Sequence, residues 1–134
     1  MARSGPSDPV VARWDGGWRA TVTSGQFTFG VDEPEAAGGT GTAPMPTEYL
    51  LGAAASCYAL ALQWTATRQG VELPDLKVTA VGEYDGASFS EIRLVVESSL
   101  PAEQLEPLLE PAHKVCYVSN SLSRRPAVEI AGAG

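Results

Sequence analysis

The chain has two cysteines, Cys57 and Cys116, which lie 59 residues apart in a sequence of 134. A thiolate is both a nucleophile and a metal ligand, and an oxidised thiol can condense with a second one to form a disulfide. Two cysteines are too few for a secreted disulfide framework, and no basic segment followed by an apolar stretch opens the chain. We therefore expect a cytoplasmic protein, in which paired thiols are more often redox-active or metal-binding than structural.

Length and charge limit the classes of protein that fit. A chain of 134 residues suits one domain, and residues 1–8 have the small and polar composition of a disordered start. The formal net charge of −7 argues against nucleic acid or an anionic membrane surface as a partner. The apolar run around Cys57 is shorter than the roughly 20 residues that span a bilayer, so no membrane span is expected.

Cys57 lies in the stretch Pro46 to Gly70, which predicts a helix with Arg68 in its last turn. Residues 49–62 are almost all small or apolar, so the helix has no polar face and is expected to be buried on all sides. Pro46 and Glu48 suit its first turn, and Gly70 suits the position just after its end. A cysteine in such a helix also packs well as a small hydrophobic residue, so this stretch alone leaves the role of Cys57 open.

Strands are predicted on both sides of this helix. Alternating apolar and polar residues predict a hairpin over Trp18–Val31 and a second antiparallel pair over Leu76–Tyr84 and Glu91–Ser98. Residues 9–15 fit a short edge strand, and the chain is expected to finish as a strand over Ala127–Ala131.

The segment before Cys116 has leucines at helical spacing. It extends over Pro101–Val115, and Pro107 and Pro111 are expected to break or kink a helix there. The polar stretch Ser119–Arg125 follows Cys116, and no regular structure is predicted for it.

The loop of residues 32–45 connects the first hairpin to the helix. Its glycines, Gly38, Gly39 and Gly41, suggest a phosphate cradle, but no Lys-Ser/Thr pair follows and no strand leads directly into them. We therefore do not expect a nucleotide site. A loop of this length in a small domain is often functional.

Two sequence blocks together resemble the OsmC/Ohr family. The first is PTEYLLGAAASC at residues 46–57, and the second is AHKVCYVSNSL at residues 112–122. The resemblance extends over roughly residues 14–131, and the second block is the more specific because alanine-rich helices with a cysteine arise easily. It implies an α+β fold of the OsmC type, with antiparallel sheets, two long central helices and an intertwined homodimer whose active sites lie at the subunit interface.

The best-known members of that family are thiol-dependent peroxidases that reduce organic hydroperoxides. The resemblance implies that Cys57 is the peroxidatic cysteine and that Cys116 resolves its sulfenic acid as a disulfide. The expected partners are an organic hydroperoxide, a second copy of the chain and a dithiol reductant, for which a lipoyl-bearing protein is one candidate. No cofactor and no metal are expected.

The resemblance also implies that an arginine paired with a glutamate activates the thiol. The matching residues are Arg19 and Glu48, although Thr47 stands where the family has its glutamate. Nine residues separate Glu48 from Cys57, which puts the two on opposite faces of a straight helix. A second departure is Tyr117, which stands where the family usually has proline. From the residues alone, Arg19 is most simply a solvated surface charge.

Other interpretations of the same residues stay open. His113, the only histidine, precedes Cys116 by three residues and suits a base or a zinc ligand, although a hydrogen-bonded structural histidine is the simpler expectation. The two departures favour a non-catalytic OsmC-like protein that binds a small apolar ligand or senses oxidants. An inert structural disulfide is a third interpretation.

Overall fold

The computed structural model describes residues 2–133, which form an α+β structure with antiparallel sheets, as predicted. Met1 and Gly134, which the single-domain prediction includes, lie outside the described residues, and residues 2–9 carry no helix or strand. The chain divides into two compact units, one of residues up to 51 and the other of residues from 52 onward. The division lies within a single helix, so each unit contains part of it.

The first unit contains a three-stranded antiparallel sheet. Its strands are β1 (Val10–Gly16), β2 (Arg19–Ser24) and β3 (Phe27–Val31), and they pair in chain order. The turn between β2 and β3 contains Gly25, whose φ of 59° lies in the left-handed region that glycine adopts without steric cost. The predicted hairpin and edge strand are therefore confirmed.

The helix that contains Cys57, α1, extends from Pro46 to Arg68 without a break, as predicted. At its start, a side-chain oxygen of Glu48 accepts the backbone N–H of Met45 at 2.9 Å, which is half of a capping box. After its end, Gly70 has a φ of 69°.

The prediction that α1 is buried on all sides is wrong for a single chain. One face is buried, and its buried residues are Ala54, Tyr58, Ala61, Leu62, Thr65 and Ala66. Elsewhere on the helix, five side chains with alternating spacings of three and four residues are exposed to solvent: Ala53, Ser56, Leu60, Gln63 and Thr67. We call these five the exposed stripe of α1. No element of the described chain covers it.

The second unit contains the antiparallel pair β4 (Lys77–Asp85) and β5 (Ser88–Glu97), which extends the predicted pair by a few residues. Its core joins α1 to the elements that follow the sheet. The buried residues of this core are Tyr58, Ala61, Leu62, Ala66, Leu73, Leu108, Ala112 and Cys116.

Helix α2 (Ala102–Val115) contains both Pro107 and Pro111. Of the predicted break or kink, the break is therefore wrong, and the kink stays a prediction. Each proline removes one helical N–H donor and leaves the carbonyl four residues earlier without its usual partner. These carbonyls belong to Glu103 and Pro107, which are both exposed, so water can bind them and the helix continues.

The C-terminal part of the chain differs from its prediction. The polar stretch mostly forms a further helix, α3 (Tyr117–Arg124), and the predicted strand Ala127–Ala131 is wrong, because residues 125–133 carry no helix or strand. A strand needs a hydrogen-bonding neighbour, and none of the described strands pairs with this segment. Val128 and Ile130 are consequently exposed.

Candidate redox site

Cys116 connects α2 to α3 and lies at the corner between them. It ends the first helix and begins the second with φ of −88° and ψ of 107°, an extended conformation that interrupts the helical path. Its side chain is fully buried in the core of the second unit. Its carbonyl accepts the N–H of Asn120 at 3.0 Å, which is the first helical hydrogen bond of α3.

The second motif block builds this corner. Nδ1 of His113 and the hydroxyl of Ser119 are hydrogen-bonded at 2.8 Å. The side-chain amide of Asn120 donates to the carbonyls of His113 at 2.8 Å and Cys116 at 2.9 Å. Because the last carbonyls of a helix lack helical partners, this amide satisfies the end of α2 and fixes the direction of α3. His113 thus has the hydrogen-bonded structural role that was the simpler expectation.

Cys57 meets this corner from the middle of α1. Its side chain is half-buried and packs against the core that includes Cys116. The two thiols are hydrogen-bonded to each other, and the backbone N–H groups of Val118 and Tyr117 donate to the Cys57 sulfur. Tyr117 and Val118 are the first two residues of α3, whose N–H groups have no carbonyl partner within the helix. The structure therefore brings the two predicted cysteines together, both as free thiols.

Opposing effects act on the acidity of Cys57. Burial raises the pKa of the Cys57 thiol most, and the neighbouring Cys116 thiol raises it further. The N–H groups of Val118 and Tyr117 lower this pKa, because they stabilise the thiolate and lie at the positive end of a helix. The net direction is upward, so these N–H groups do not by themselves bring the pKa of Cys57 below its ordinary value.

Arg19 and Glu48, the other two predicted site residues, lie in the first unit. Arg19 begins β2, where its Nη1 atom donates a hydrogen bond to the Thr42 hydroxyl and lies 3.9 Å from a carboxylate oxygen of Asp32. Glu48 caps the start of α1. Within the described residues, no ion pair joins Arg19 to Glu48, and their roles at the thiol stay predictions.

The polar partners of His113, Cys116 and Arg19 were not predicted from the sequence. Ser119 and Asn120 stood in the second motif block, where a serine and an asparagine soon after a helix-ending cysteine are a signal for capping. Asp32 precedes a run of glycines and threonines, which is a signal that the loop folds around a carboxylate. Thr42 gave no signal of its own, because its contact with Arg19 depends on the folded path of the loop.

A cleft of about 710 Å³ opens between β5, α2 and α3 in the second unit. Apolar side chains of the sheet and of α2 line it together with Arg93, Glu106 and Glu110. Cys57 and Cys116 are not among its lining residues, so it is distinct from the immediate surroundings of the thiols.

Two kinds of feature are absent from residues 2–133. No cluster of three or more histidine, cysteine, aspartate or glutamate side chains in this range has the arrangement of a metal site. None of the helices in the same range combines the length and the apolar character that crossing a membrane requires.

The fold and the site define a class of protein, an α+β chain in which two free thiols meet beside the start of a helix. A family model described as OsmC-like protein matches residues 39–131. This match includes both cysteines and more than half of the chain, so the chain belongs to the OsmC-like family.

Three relatives show how similar the chain is to known proteins. It is 36% identical over 73 residues to the uncharacterized protein YmaD of Bacillus subtilis, a match that includes 53% of this chain and spans about half, 49%, of that protein. It is 27% identical to the organic hydroperoxide resistance protein OhrB of Bacillus subtilis, with a TM-score of 0.65 over 87% of this chain and 90% of that one. The OsmC-like protein of Mycoplasma pneumoniae has the same fold, with a TM-score of 0.76, 19% identity and 91% of each chain covered.

Proposed function

We propose that this protein is a thiol-dependent peroxidase that reduces organic hydroperoxides through Cys57 and Cys116. The observation that carries the proposal is the hydrogen bond between the two free thiols. A resolving cysteine must reach the sulfenic acid before a second peroxide does, and direct contact between the thiols meets that requirement. The similarity to a protein named for organic hydroperoxide resistance supports the same substrate class.

The proposed cycle begins with the Cys57 thiolate. Its sulfur attacks one oxygen of the hydroperoxide, the O–O bond breaks, and the electron pair leaves with the alkoxide, which takes a proton to become an alcohol. Cys57 is then a sulfenic acid. The Cys116 thiolate attacks this sulfur, the S–S bond forms, and hydroxide leaves and is protonated to water. A dithiol reductant reduces the disulfide through a mixed disulfide and is itself oxidised to a disulfide.

The α3 N-terminus supports the first step of this cycle. Two backbone N–H groups already donate to the Cys57 sulfur, and they stabilise negative charge on it as the thiolate forms. Because burial still raises the pKa of Cys57, we assign the remaining activation to Arg19, whose guanidinium would supply the positive charge that stabilises a thiolate. Glu48 would orient that arginine, and in a homodimer the partner chain would complete the site.

Stopped-flow mixing with cumene hydroperoxide tests this proposal. Fully reduced protein should lose both thiols for each peroxide consumed. Cys57→Ser should abolish the fast reaction, because the attacking sulfur is gone. Cys116→Ser should keep a single fast turnover and then stop at the sulfenic acid or a more oxidised form. The two variants are matched, because each replaces one thiol of the same pair by a hydroxyl.

The proposal fails if wild-type protein consumes cumene hydroperoxide no faster than an ordinary thiol, with a dithiol reductant present or absent. The resolving role of Cys116 is contradicted if Cys116→Ser turns over repeatedly at the wild-type rate.

A second candidate function is non-catalytic binding of a small ligand or sensing of oxidants. The raised pKa of Cys57 favours the binding function, because a protonated thiol reacts slowly. Titration of thiol reactivity with iodoacetamide against pH distinguishes a binder from a sensor or a peroxidase. A binder should show two sluggish thiols, whereas a sensor or a peroxidase should show one accelerated thiol that is lost in Cys57→Ser.

A further inference from the structure

The buried carboxylate of Asp32 organises the loop between β3 and α1. Its side chain is almost completely inaccessible to solvent, with 1% exposed. One oxygen accepts the N–H of Glu33 at 2.8 Å, and the other accepts the N–H and the hydroxyl of Thr42, both at 3.1 Å. The N–H and the hydroxyl of Thr40 also donate to this carboxylate. The loop therefore supplies five donors to one buried anion.

The glycines of this loop are explained by the same carboxylate. A Cβ atom on Gly39 would lie 2.0 Å from the carbonyl oxygen of Glu33 and 2.8 Å from Asp32 Oδ1, so only glycine fits. The sequence suggested a phosphate cradle at these glycines, and in the structure the loop does bind an anion, which is the chain's own aspartate.

The pKa of Asp32 agrees with this arrangement. The hydrogen bond from the Thr40 hydroxyl and those from the backbone N–H groups hold the pKa of the carboxyl well below its usual range, against the opposing effect of burial. Asp32 is therefore a fixed negative charge at any pH at which the protein works.

Arg19 lies next to this anion, with its Nη1 atom 3.9 Å from Asp32 Oδ2. Its Nη1 atom donates to the Thr42 hydroxyl, which in turn donates to Asp32 at 3.1 Å. On its other side, the guanidinium crosses Gly30 of β3 so closely that a Cβ there would lie 2.7 Å from Nη2. The Arg19 side chain is still 37% exposed. The bond to Thr42 occupies one of the five N–H donors that a guanidinium carries.

We propose that Asp32 is a positioning residue for Arg19, which it holds through the Thr42 hydroxyl and against the bare backbone of Gly30. A long, flexible arginine is thereby fixed in one orientation before any substrate arrives, while most of its N–H donors remain outside the contact with Thr42. The consequence for peroxide chemistry rests on the proposed function, because the assignment of Arg19 to the activation of Cys57 comes from there. The orientation of Arg19 does not rest on it and is tested separately.

The first test observes the guanidinium directly. In wild-type protein labelled with ¹⁵N, the Arg19 Nη signals, assigned with Arg19→Lys, should be resolved at low temperature because the hydrogen bond slows their exchange. Thr42→Val removes the hydroxyl that accepts the hydrogen bond from Arg19, so the separate Nη signals should merge into one averaged signal. Thr40→Val removes a hydroxyl that donates to the same carboxylate and lies 3.0 Å from the Thr42 hydroxyl, but that does not contact Arg19. It is the matched control and should leave the Arg19 signals resolved, because Thr42 can still donate to Asp32 and accept from Arg19.

Asp32→Asn extends this test, because it replaces the anion by an amide of the same shape. It should average the Arg19 signals as Thr42→Val does, provided that circular dichroism shows a folded chain. If Asp32→Asn does not fold, the comparison of the two threonine variants decides. The proposal is overturned if a folded Asp32→Asn leaves the Arg19 signals resolved, if both valine variants affect these signals equally, or if Thr42→Val leaves them unchanged.

The second test measures the effect on Cys57. Thr42→Val should slow the reaction with cumene hydroperoxide about 10-fold in the wild-type background, because a misplaced charge stabilises the thiolate and the transition state less. In an Arg19→Gln background the same substitution should change the rate less than about 2-fold, since the effects of two substitutions that act through one group do not add. An equal factor in both backgrounds would show that Thr42 does not act through Arg19.

The two tests separate the two proposals. If wild-type protein has no fast reaction with peroxide, the proposed function fails and the Arg19 signals alone decide the role of Asp32. If Asp32→Asn instead accelerates the reaction, the carboxylate mainly neutralises Arg19, and the positioning role is overturned.

Discussion

At the scale of single residues, the site depends on backbone groups as much as on side chains. Tyr117 matters at Cys57 through its N–H group, which donates to the sulfur. A proline at this position, which is the usual residue in the family that the sequence resembles, has no N–H to donate. The departure that looked unfavourable in the sequence therefore adds a donor for the thiolate in this chain.

A pair of substitutions at this position isolates the N–H group. Tyr117→Pro removes it, and proline is well tolerated at the first position of a helix. The extended conformation of Cys116 also suits a residue that precedes proline. We expect Tyr117→Pro to raise the pKa of Cys57 and to slow its alkylation at pH 7 by about threefold to tenfold, the worth of one hydrogen bond.

Tyr117→Ala is the control, because it removes the same ring and keeps the N–H. The measurement is the rate of iodoacetamide alkylation of Cys57 against pH in a Cys116→Ser background, which leaves one thiol. Identical pH profiles for the proline and alanine variants would show that this N–H does not stabilise the thiolate.

The residues of the candidate site were predictable to different degrees. Cys57 and Cys116 could be found from the sequence because their chemistry is rare in this chain and each lies in a motif block. Asp32 could not be assigned to Arg19, because their connection passes through the Thr42 hydroxyl and requires the loop to be folded. Contacts of this kind between polar groups leave no periodic pattern in a sequence.

At the scale of elements, Tyr58 connects α1, which contains Cys57, to α2, which ends just before Cys116. It is buried in α1, and its hydroxyl donates to the carbonyl of Leu109 in α2 at 2.7 Å. The pKa of Tyr58 is raised to about 12. Burial is the largest cause, and the negative charges of Cys116 and of two glutamates of α2 add to it. The hydrogen bond therefore persists at pH values at which an ordinary tyrosine is already ionised.

Tyr58→Phe should lower the free energy of unfolding by about 1 kcal/mol at pH 7, because it removes this hydrogen bond. The folded-state pKa is raised, so the contribution of the hydroxyl is complete below pH 10 and is lost as the pH rises towards 12. The difference between wild type and variant in urea unfolding should accordingly shrink between pH 10 and 12. Tyr49→Phe, which removes a tyrosine hydroxyl bonded to Gly30 in the first unit, is the control. A constant difference across this pH range would contradict the assignment.

The elements were predictable where their patterns are local. The hairpins and α1 follow from alternation, an apolar run and end signals such as Gly70, and all of them are confirmed. The continuous α2 was not predicted, because Pro107 and Pro111 were expected to destabilise a helix as prolines in a helix interior usually do. The carbonyls that they leave unpaired lie at exposed positions, where water can bind them. The strand predicted over Ala127–Ala131 has suitable residues but no neighbouring strand in the described chain.

At the scale of the whole molecule, the exposed stripe of α1 is the feature that a single chain leaves unexplained. Its residues alternate at spacings of three and four, the pattern of a helix seam that packs against another helix. Leu60, at its centre, is 72% exposed, and it lies three residues after Cys57 in the same helix. The homodimer that the family resemblance implies would cover such a stripe with a second copy.

Leu60→Glu tests whether the stripe is the dimer interface. Wild-type protein should have the mass of two chains in light scattering, and the variant should weaken this dimer by at least about 100-fold, because a charge without a partner would be buried. Gln104→Glu adds the same charge at an exposed polar position of α2, outside the stripe, and should stay dimeric. Since the resemblance implies active sites at the subunit interface, the loss of the dimer should also slow the reaction of Cys57 with cumene hydroperoxide. A dimeric Leu60→Glu variant, or a monomeric wild type, would show that α1 is left uncovered and that Cys57 works within one chain.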